Sequence, residues 1–341
     1  MGAATLTWQL LTKVFENRKV EPFFLTKALG ANKIYSPTTK VTIRTVTHGG
    51  GKAAIGLRGD PATRINAGIT VTEVDRTPPQ IYEMDNVADA HLTTNYDPNT
   101  MAILEGNSDI LRSMNYIYGK KADEMMLRYR RALEWMMREV GFTGKVTDDD
   151  RGIEIDFEID EAADYTLNST ADPLSDLGEV CEAYASTNGI FPDLIVTTPA
   201  IAKAILAHSK VEKWINKNTY SFGNLQSQFN DPMTRFMGSF KEFGIPEIYA
   251  YVGSYADSTG AAQTFVPSGK LMVTNRSKWS VGYAAQVDYD INADGAPIMG
   301  EFLAKEKIAS DGKSKDLMLS SFPLPMIESG DAVKVLDVTV S

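Results

Sequence analysis

Between Asn107 and Val140 the sequence carries a helical pattern longer than a compact domain requires. Asn107 or Ser108 supplies a side-chain oxygen suited to an N-cap. Leu111, Met114, Tyr118, Ala122, Met125, Tyr129, Ala132, Met136 and Val140 then recur at three- and four-residue steps. Residues so spaced share one face of a helix, so the run predicts a helix over 108–140, stopped by Gly141 and Gly144. At 1.5 Å per residue its length is roughly 50 Å. Gly119 is a weak point at which such a helix can bend. Arg128, Arg130, Arg131 and Arg138 crowd its second half.

The segment before it supplies little core of its own. Leu6, Leu10, Leu11, Val14 and Phe15 share a face of a short amphipathic helix, followed by an apolar cluster at Phe23, Phe24 and Leu25. A helix this short needs another surface, in this chain or on another copy. From Tyr35 the period drops to two: Lys40, Thr42 and Arg44 alternate with Val41, Ile43 and Thr45, and 69–74 reads as a return strand. Between them lie Gly49, Gly50, Gly51 and Lys52, then the Arg58–Pro61 turn. A long hairpin with a glycine-rich, basic middle is expected, resting on something else for want of large apolar residues. The arm and hairpin together, some 80 residues, are expected to lie on neighbouring copies.

Beyond the helix, Ile153, Ile155, Phe157 and Ile159 alternate with Glu154, Asp156, Glu158 and Asp160, which predicts a strand with one acidic face. Four like charges in line call for a basic surface opposite; the arginine-rich helix and the hairpin's Lys40 and Arg44 are the candidates. An α/β block follows: a helix over 173–188, a buried strand at 194–197, a helix begun by Pro199, and strands at 247–252 and 271–274. The remainder reads as strands at 279–287, 302–308, 316–320 and 333–340. That order of elements is an α+β class.

Chemistry is poorly supplied. Cys181 is the single cysteine and His48, His91 and His208 are far apart, so disulfides, cysteine-based metal sites and the usual zinc or acid–base sets are disfavoured. A net charge of −10 disfavours nucleic acid as the main ligand. The 49–52 stretch falls short of a P-loop, with Val46 and Ala53 where glycine and a hydroxyl residue belong, and reads as a flexible loop tip. The acidic row lies along one strand face, whereas a metal cage needs ligands converging from several segments. Cys181 with His208 would make a nucleophile pair, but Cys181 sits among Val180, Ala183 and Tyr184 as a small buried side chain. Arg58-Gly59-Asp60 matches an adhesion tripeptide that arises readily by chance, and no Gly-x-Ser-x-Gly elbow occurs. No catalytic, cofactor or metal residue is assigned. The amino-terminal segment reads neither as a signal peptide nor as a spanning helix, and a reducing, aqueous compartment is expected. Apolar surface left open by one copy implies further copies.

Several stretches resemble the capsid protein E family, the major capsid proteins of lambda-like tailed phages. Trp8-Gln-Leu-Leu11 and Val20-Glu-Pro-Phe-Phe-Leu25 are similar to the family's N-terminal arm, and Thr38-Thr-Lys-Val41 to the entry into its extended loop. Pro192-Asp-Leu-Ile-Val196 with Pro199 and the helix to Lys217 resembles the strand–helix unit of its axial domain. The run from Phe265 to Asn275 resembles the segment leaving that domain, and Ser321-Phe-Pro-Leu-Pro-Met326 through Val340 its C-terminal end. The matches are short, so their order and spacing across nearly the whole chain carry the resemblance.

The resemblance implies a Hong Kong 97-type capsid fold. Its parts would be an N-arm (1–34), an extended β-hairpin loop (35–84) and a peripheral domain (85–172) with spine helix 108–140. An axial domain (173–272), peripheral strands (273–324) and a C-terminal strand returning to the axial domain (325–341) would complete it. It implies hexamers and pentamers closing an icosahedral head around double-stranded DNA held without specific binding. The implied assembly partners are a portal, a scaffold and a maturation protease, with a decoration protein in some relatives. No membrane is implied; the place is the virion, and the host cytoplasm during assembly. On this reading Arg44, Arg58 and Arg64 of the hairpin pair with acidic surface on a neighbour, with Glu154, Asp156 and Glu158 as counterparts. A structural tail protein forming tubes or rings is the second expectation, and an uncharacterised hydrolase a distant third.

Overall fold

The computed structural model describes residues 7–18, 20–48, 69–88, 107–148, 152–217, 232–257, 259–308 and 314–341. Its axis is helix α3, Asn107–Thr143, which follows helices α1 (Trp8–Glu16) and α2 (Phe24–Leu29). The long apolar stripe folds as expected, but neither Gly119 nor Gly141 interrupts it. Each glycine makes room for a neighbour. A Cβ at Gly119 would lie 2.7 Å from the Arg18 guanidinium, and one at Gly141 would lie 2.8 Å from the sulfur of Met272. The helix ends instead at Gly144, whose φ of +70° is the left-handed conformation that glycine adopts without strain.

Around the second half of α3, Leu133, Met136, Met137 and Val140 form a core with Phe24, Leu25 and Leu29 of α2 and with Trp279 and Tyr283. Around its first half, Ala122, Met125, Met126 and Tyr129 pack with Leu11 and Phe15 of α1 and with Phe302, Leu317 and Leu319. This corrects the expectation that the arm lies on neighbouring copies. Over its described residues the arm covers its own spine helix, because the apolar stripe of α3 leaves open space that α1 and α2 fill.

Three sheets flank that axis. A six-stranded mixed sheet has the order β7-β18-β13-β8-β10-β9. Its strands are β7 (Ala163–Leu167), β8 (Leu194–Thr197), β9 (Thr234–Phe240), β10 (Ile245–Tyr251), β13 (Lys270–Thr274) and β18 (Val333–Val340). Helices α4 (Pro173–Asn188), α5 (Pro199–Leu206) and α6 (Ser209–Lys217) belong with this sheet. Leu174, Leu177, Cys181, Ile201, Ile205 and Val211 make a separate core against Ile195, Ile248, Leu271 and Val273. Leu194 and Val196 face the other way, into the α3 core. Burial on both faces explains why β8 is apolar from Leu194 to Val196, and its last residue, Thr197, is buried with its hydroxyl donating to the Lys270 carbonyl.

A second sheet runs β1 (Lys33–Tyr35), β14 (Trp279–Tyr283), β17 (Pro323–Ile327). The third runs β15 (Leu303–Ile308), β16 (Ser314–Ser321), β4 (Ile81–Ala88). The hairpin is therefore shorter at its return end than 35–84: the chain leaves it at Arg76, and residues 81–88 pair with β16 throughout. A short antiparallel pair, β5 (Lys145–Asp148) with β6 (Ile153–Asp156), follows α3, and a three-residue hairpin, β11 (Ser254–Ala256) with β12 (Ala262–Thr264), follows β10. The expected strand over 153–160 stops at Asp156. Glu158 has a φ of +54°, so the chain turns there, although Phe157 stays buried and Ile159 still packs on the core. No helix among the described residues is long and apolar enough to cross a membrane.

Candidate functional site

The hairpin is β2 (Val41–His48) against β3 (Ile69–Arg76), in register from Val41 opposite Arg76 to His48 opposite Ile69. Its base is fixed to the chain's own core. Val41 is buried, and a Cβ on Gly282 of β14 would fall 2.4 Å from its Cγ1, so glycine there is what lets the strand enter. Thr42 donates to Asp75 across the pair at 2.8 Å. Among the described residues no third strand joins these two, and Thr42, Glu73, Val74 and Asp75 are exposed. Isolated two-stranded ribbons are marginal in water. Arg44 stands opposite Glu73 in this register. Arg58 and Arg64 lie outside the described residues, as does the 49–52 loop.

The acidic row is partly neutralised inside the chain. Glu154 is exposed on β6 opposite Thr147. Asp156 pairs with Lys145 across the strands at 2.7 Å. That hydrogen bond, with a second from the Glu158 amide at 2.8 Å, lowers the Asp156 pKa below the usual carboxylate range. Asp160 pairs with Lys334 of β18. Glu154 and Glu158 have no ion pair among the described residues. Within the subunit neither the arginine-rich helix nor Lys40 supplies the cations, which leaves a neighbouring copy as the place for that pairing. Arg128 bonds Glu83 at 2.7 Å, Arg130 bonds Glu301 at 3.0 Å and Arg138 bonds Glu139. The hairpin residue whose charge does reach Asp156 is Arg76, at the end of β3.

Two other features escaped the sequence. Arg18, in the α1–α2 link, lies over Gly119 and pairs with Asp123 at 3.7 Å. Glu134 is fully buried on α3 and accepts three hydrogen bonds at 2.7 Å, from the amides of Leu25 and Thr26 and the Thr26 hydroxyl. The only signal for it was a carboxylate set directly among Leu133, Met136 and Met137. On β4 of the third sheet Tyr82 and Met84 are half exposed, and Tyr289 and Met299 elsewhere are largely exposed.

No reactive set assembles around Cys181 and His208. Burial pushes the Cys181 thiol up to about 12. One nitrogen of His208 meets the Asn168 carbonyl at 3.0 Å and the other accepts from the Lys210 amide at 3.4 Å, so both are engaged away from the thiol. Among the described residues no three His, Cys, Asp or Glu side chains are grouped to hold a metal ion.

The family model described as phage major capsid protein E matches residues 7–335 of the chain. No curated protein matches it. Three of the solved structures that share its fold illustrate the likeness. One is described as a capsid protein of an E. coli CFT073 prophage: TM-score 0.69, 16% identity, covering 99% of this chain and 100% of that one. A phage-related protein from Bordetella bronchiseptica RB50 gives 0.54 at 13% identity, covering 98% of each. A structure from Gordonia phage Cozz gives 0.53 at 9% identity, covering 95% of this chain and 89% of that one.

Proposed function

The chain belongs to the phage major capsid protein E family, and from that premise we propose that its copies assemble as hexamers and pentamers into an icosahedral head around double-stranded DNA. It is a major capsid protein with the Hong Kong 97-type fold. A tail protein forming tubes or rings is not favoured by the family match.

The observation that carries the proposal is the β2–β3 hairpin: two strands anchored at Val41, with exposed side chains and, among the described residues, no further strand to complete them. In our reading it lies over a neighbouring copy, where Arg44, Arg58 and Arg64 meet the exposed carboxylates Glu154 and Glu158, with Asp156 between them. The division into N-arm, extended loop, peripheral domain and axial domain belongs to the same proposal, with one refinement: the described arm is packed on its own subunit. Portal, scaffold, maturation protease and, in some heads, a decoration protein are the partners such a shell would need. The place of the protein would be the virion, reached through assembly in the host cytoplasm. A net charge of −10 suits a wall that encloses DNA without gripping it. We assign the subunit no catalytic role.

Electron microscopy of the purified protein tests the assembly directly, closed shells being the expected result and tubes or dispersed particles the refuting one. The contact residues have their own test. Charge reversal at Arg58 and Arg64 together should lower shell yield while leaving the soluble subunit folded; an unchanged yield removes the hairpin contact from the proposal.

A further inference from the structure

The carboxylate of Glu134 is buried in the core beneath α2, which brings three donors to it. Leu25 N and Thr26 Oγ1 and N each lie 2.7 Å from its oxygens, and α2 buries Phe24, Leu25, Ala28 and Leu29 around that contact. The Tyr251 side chain of β10 lies near enough to draw the same carboxyl down. Among the described residues no cation pairs with it. On its own helix, Arg130 bonds Glu301, Arg138 bonds Glu139, and Arg131, one turn back, forms no ion pair with it. On α2, Lys27 pairs with Glu21. On the 276–278 turn against which α2 also packs, Arg276 pairs with Glu247 at 3.1 Å and Lys278 with Glu328 at 2.6 Å. On β10, Tyr249 donates to Glu247 at 3.1 Å.

We propose that Glu134 is a proton-linked latch: seating α2 on the spine helix is coupled to proton uptake at this carboxyl, so the amino-terminal arm is held tightest in acid and loosens as pH rises. The chemistry follows from the geometry. Seating α2 removes both carboxylate oxygens from water and offers hydrogen bonds but no counter-charge, and burying an anion in that way costs more than neutral donors return. Burial accordingly pushes the Glu134 carboxyl up to about 7, against the opposing pull of the Thr26 and Leu25 hydrogen bonds and of nearby Tyr251. Lifting α2 readmits water and returns the group to the ordinary carboxylate range. The state with the higher pKa binds the proton, so acid favours the seated arm, and the gain is lost as pH rises through about 7. The coupling amounts to a change on the order of 10²-fold in the seating equilibrium between about pH 5 and 8.5. The latch depends only on contacts within one subunit, so it stands or falls separately from the assembly proposal.

Hydrogen exchange on the full-length, unassembled chain tests it, with each amide's rate divided by that of an unstructured chain at the same pH. Protection of the Leu25 and Thr26 amides should fall on the order of 10²-fold from about pH 5 to 8.5, while β8 and β13 amides hold steady. Glu134→Gln should abolish that slope. Thr26→Val keeps the carboxyl but deletes one donor to its charged form, and should move the midpoint to higher pH. Flat protection in the wild type, or an equal slope in Glu134→Gln, overturns the latch. Where the glutamine variant does not fold, an unmoved midpoint in Thr26→Val overturns it instead.

Discussion

Replacing Phe15 by alanine asks whether the arm belongs to its own subunit. Phe15 is fully buried, its ring edge-on to Phe302 with centroids 6.4 Å apart, and Phe302 in turn meets Tyr129 of α3 at 5.9 Å. Truncating a buried phenylalanine removes its transfer free energy and leaves a cavity, typically about 3–5 kcal/mol in all. A nine-residue helix such as α1 has little stability away from its docking surface. The variant should therefore release the whole of α1, and the loss is limited to what that docking is worth. Thr12 adds to the docking, exchanging hydrogen bonds with the Ala304 backbone at 3.1 and 3.4 Å. Urea unfolding of the unassembled chain should show stability lowered by about 3 kcal/mol, with a somewhat smaller slope because the released α1 and its docking surface are already exposed. Amides of β15, which Thr12 holds, should exchange faster. The exposed neighbour Leu10 is the control, and Leu10→Ala should stay within about 0.5 kcal/mol of wild type. A Phe15→Ala chain as stable as that control, with β15 exchange unchanged, would mean the free subunit does not seat its arm and that the cover comes from another copy.

Two further outcomes follow from glycine geometry and thiol burial. Gly144→Ala should destabilise the chain by about 1–2 kcal/mol from the left-handed backbone alone, and more because its Cβ would fall 2.3 Å from Ile159 Cγ1. Gly119→Ala meets only the mobile end of Arg18 and gains about 1 kcal/mol of helix propensity, so thermal or urea unfolding should place it at or above wild type. The reverse ranking would refute this account of the spine helix. Cys181, fully buried and with its thiol pushed up to about 12, should resist maleimide at pH 8 in the native chain and react once urea unfolds it. Rapid native labelling would show the helix-covered core to be open.

Elements whose local chemistry and burial agree were legible to the residue. Helix α4 begins at Pro173 behind Asp172, which accepts from the Ser175 amide, and closes at left-handed Gly189. Strand β8 is apolar from Leu194 to Val196 because both its faces are covered. Strand β4 was invisible because its pattern is inverted. Glu83 and Asp85 turn inward to Arg128 and Lys121 of α3, while Tyr82 and Met84 turn out. A rule that places apolar residues inside cannot find a strand whose inner face is an ion-pair seam. Strand β17 hides for another reason: Pro323 and Pro325 argue against a strand, and only its place at the edge of the β1-β14-β17 sheet tolerates them. Glu134 was unreadable because one carboxylate in an apolar stripe has the same letter whether it is solvated or capped by another helix.

That inward seam also changes what the net charge means. Three cations of the spine helix are spent within the subunit, Lys121 on Asp85, Arg128 on Glu83 and Arg130 on Glu301. They therefore do little to offset the acidic exterior at Glu154 and Glu158. The hairpin has the opposite sign: residues 40–76 hold Lys40, Arg44, Lys52, Arg58, Arg64 and Arg76 against Asp60, Glu73 and Asp75, a net +3 within a chain of −10. A basic projection on an acidic body is attracted to the bodies of its neighbours, and the same charge keeps bare acidic faces apart. Charge thus favours the hairpin-on-neighbour arrangement over face-to-face stacking of the bodies. Fixed internal ion pairs and an extended, oppositely charged hairpin are both needed for that preference, because an acidic body whose surface cations were free would have no reason to select the hairpin.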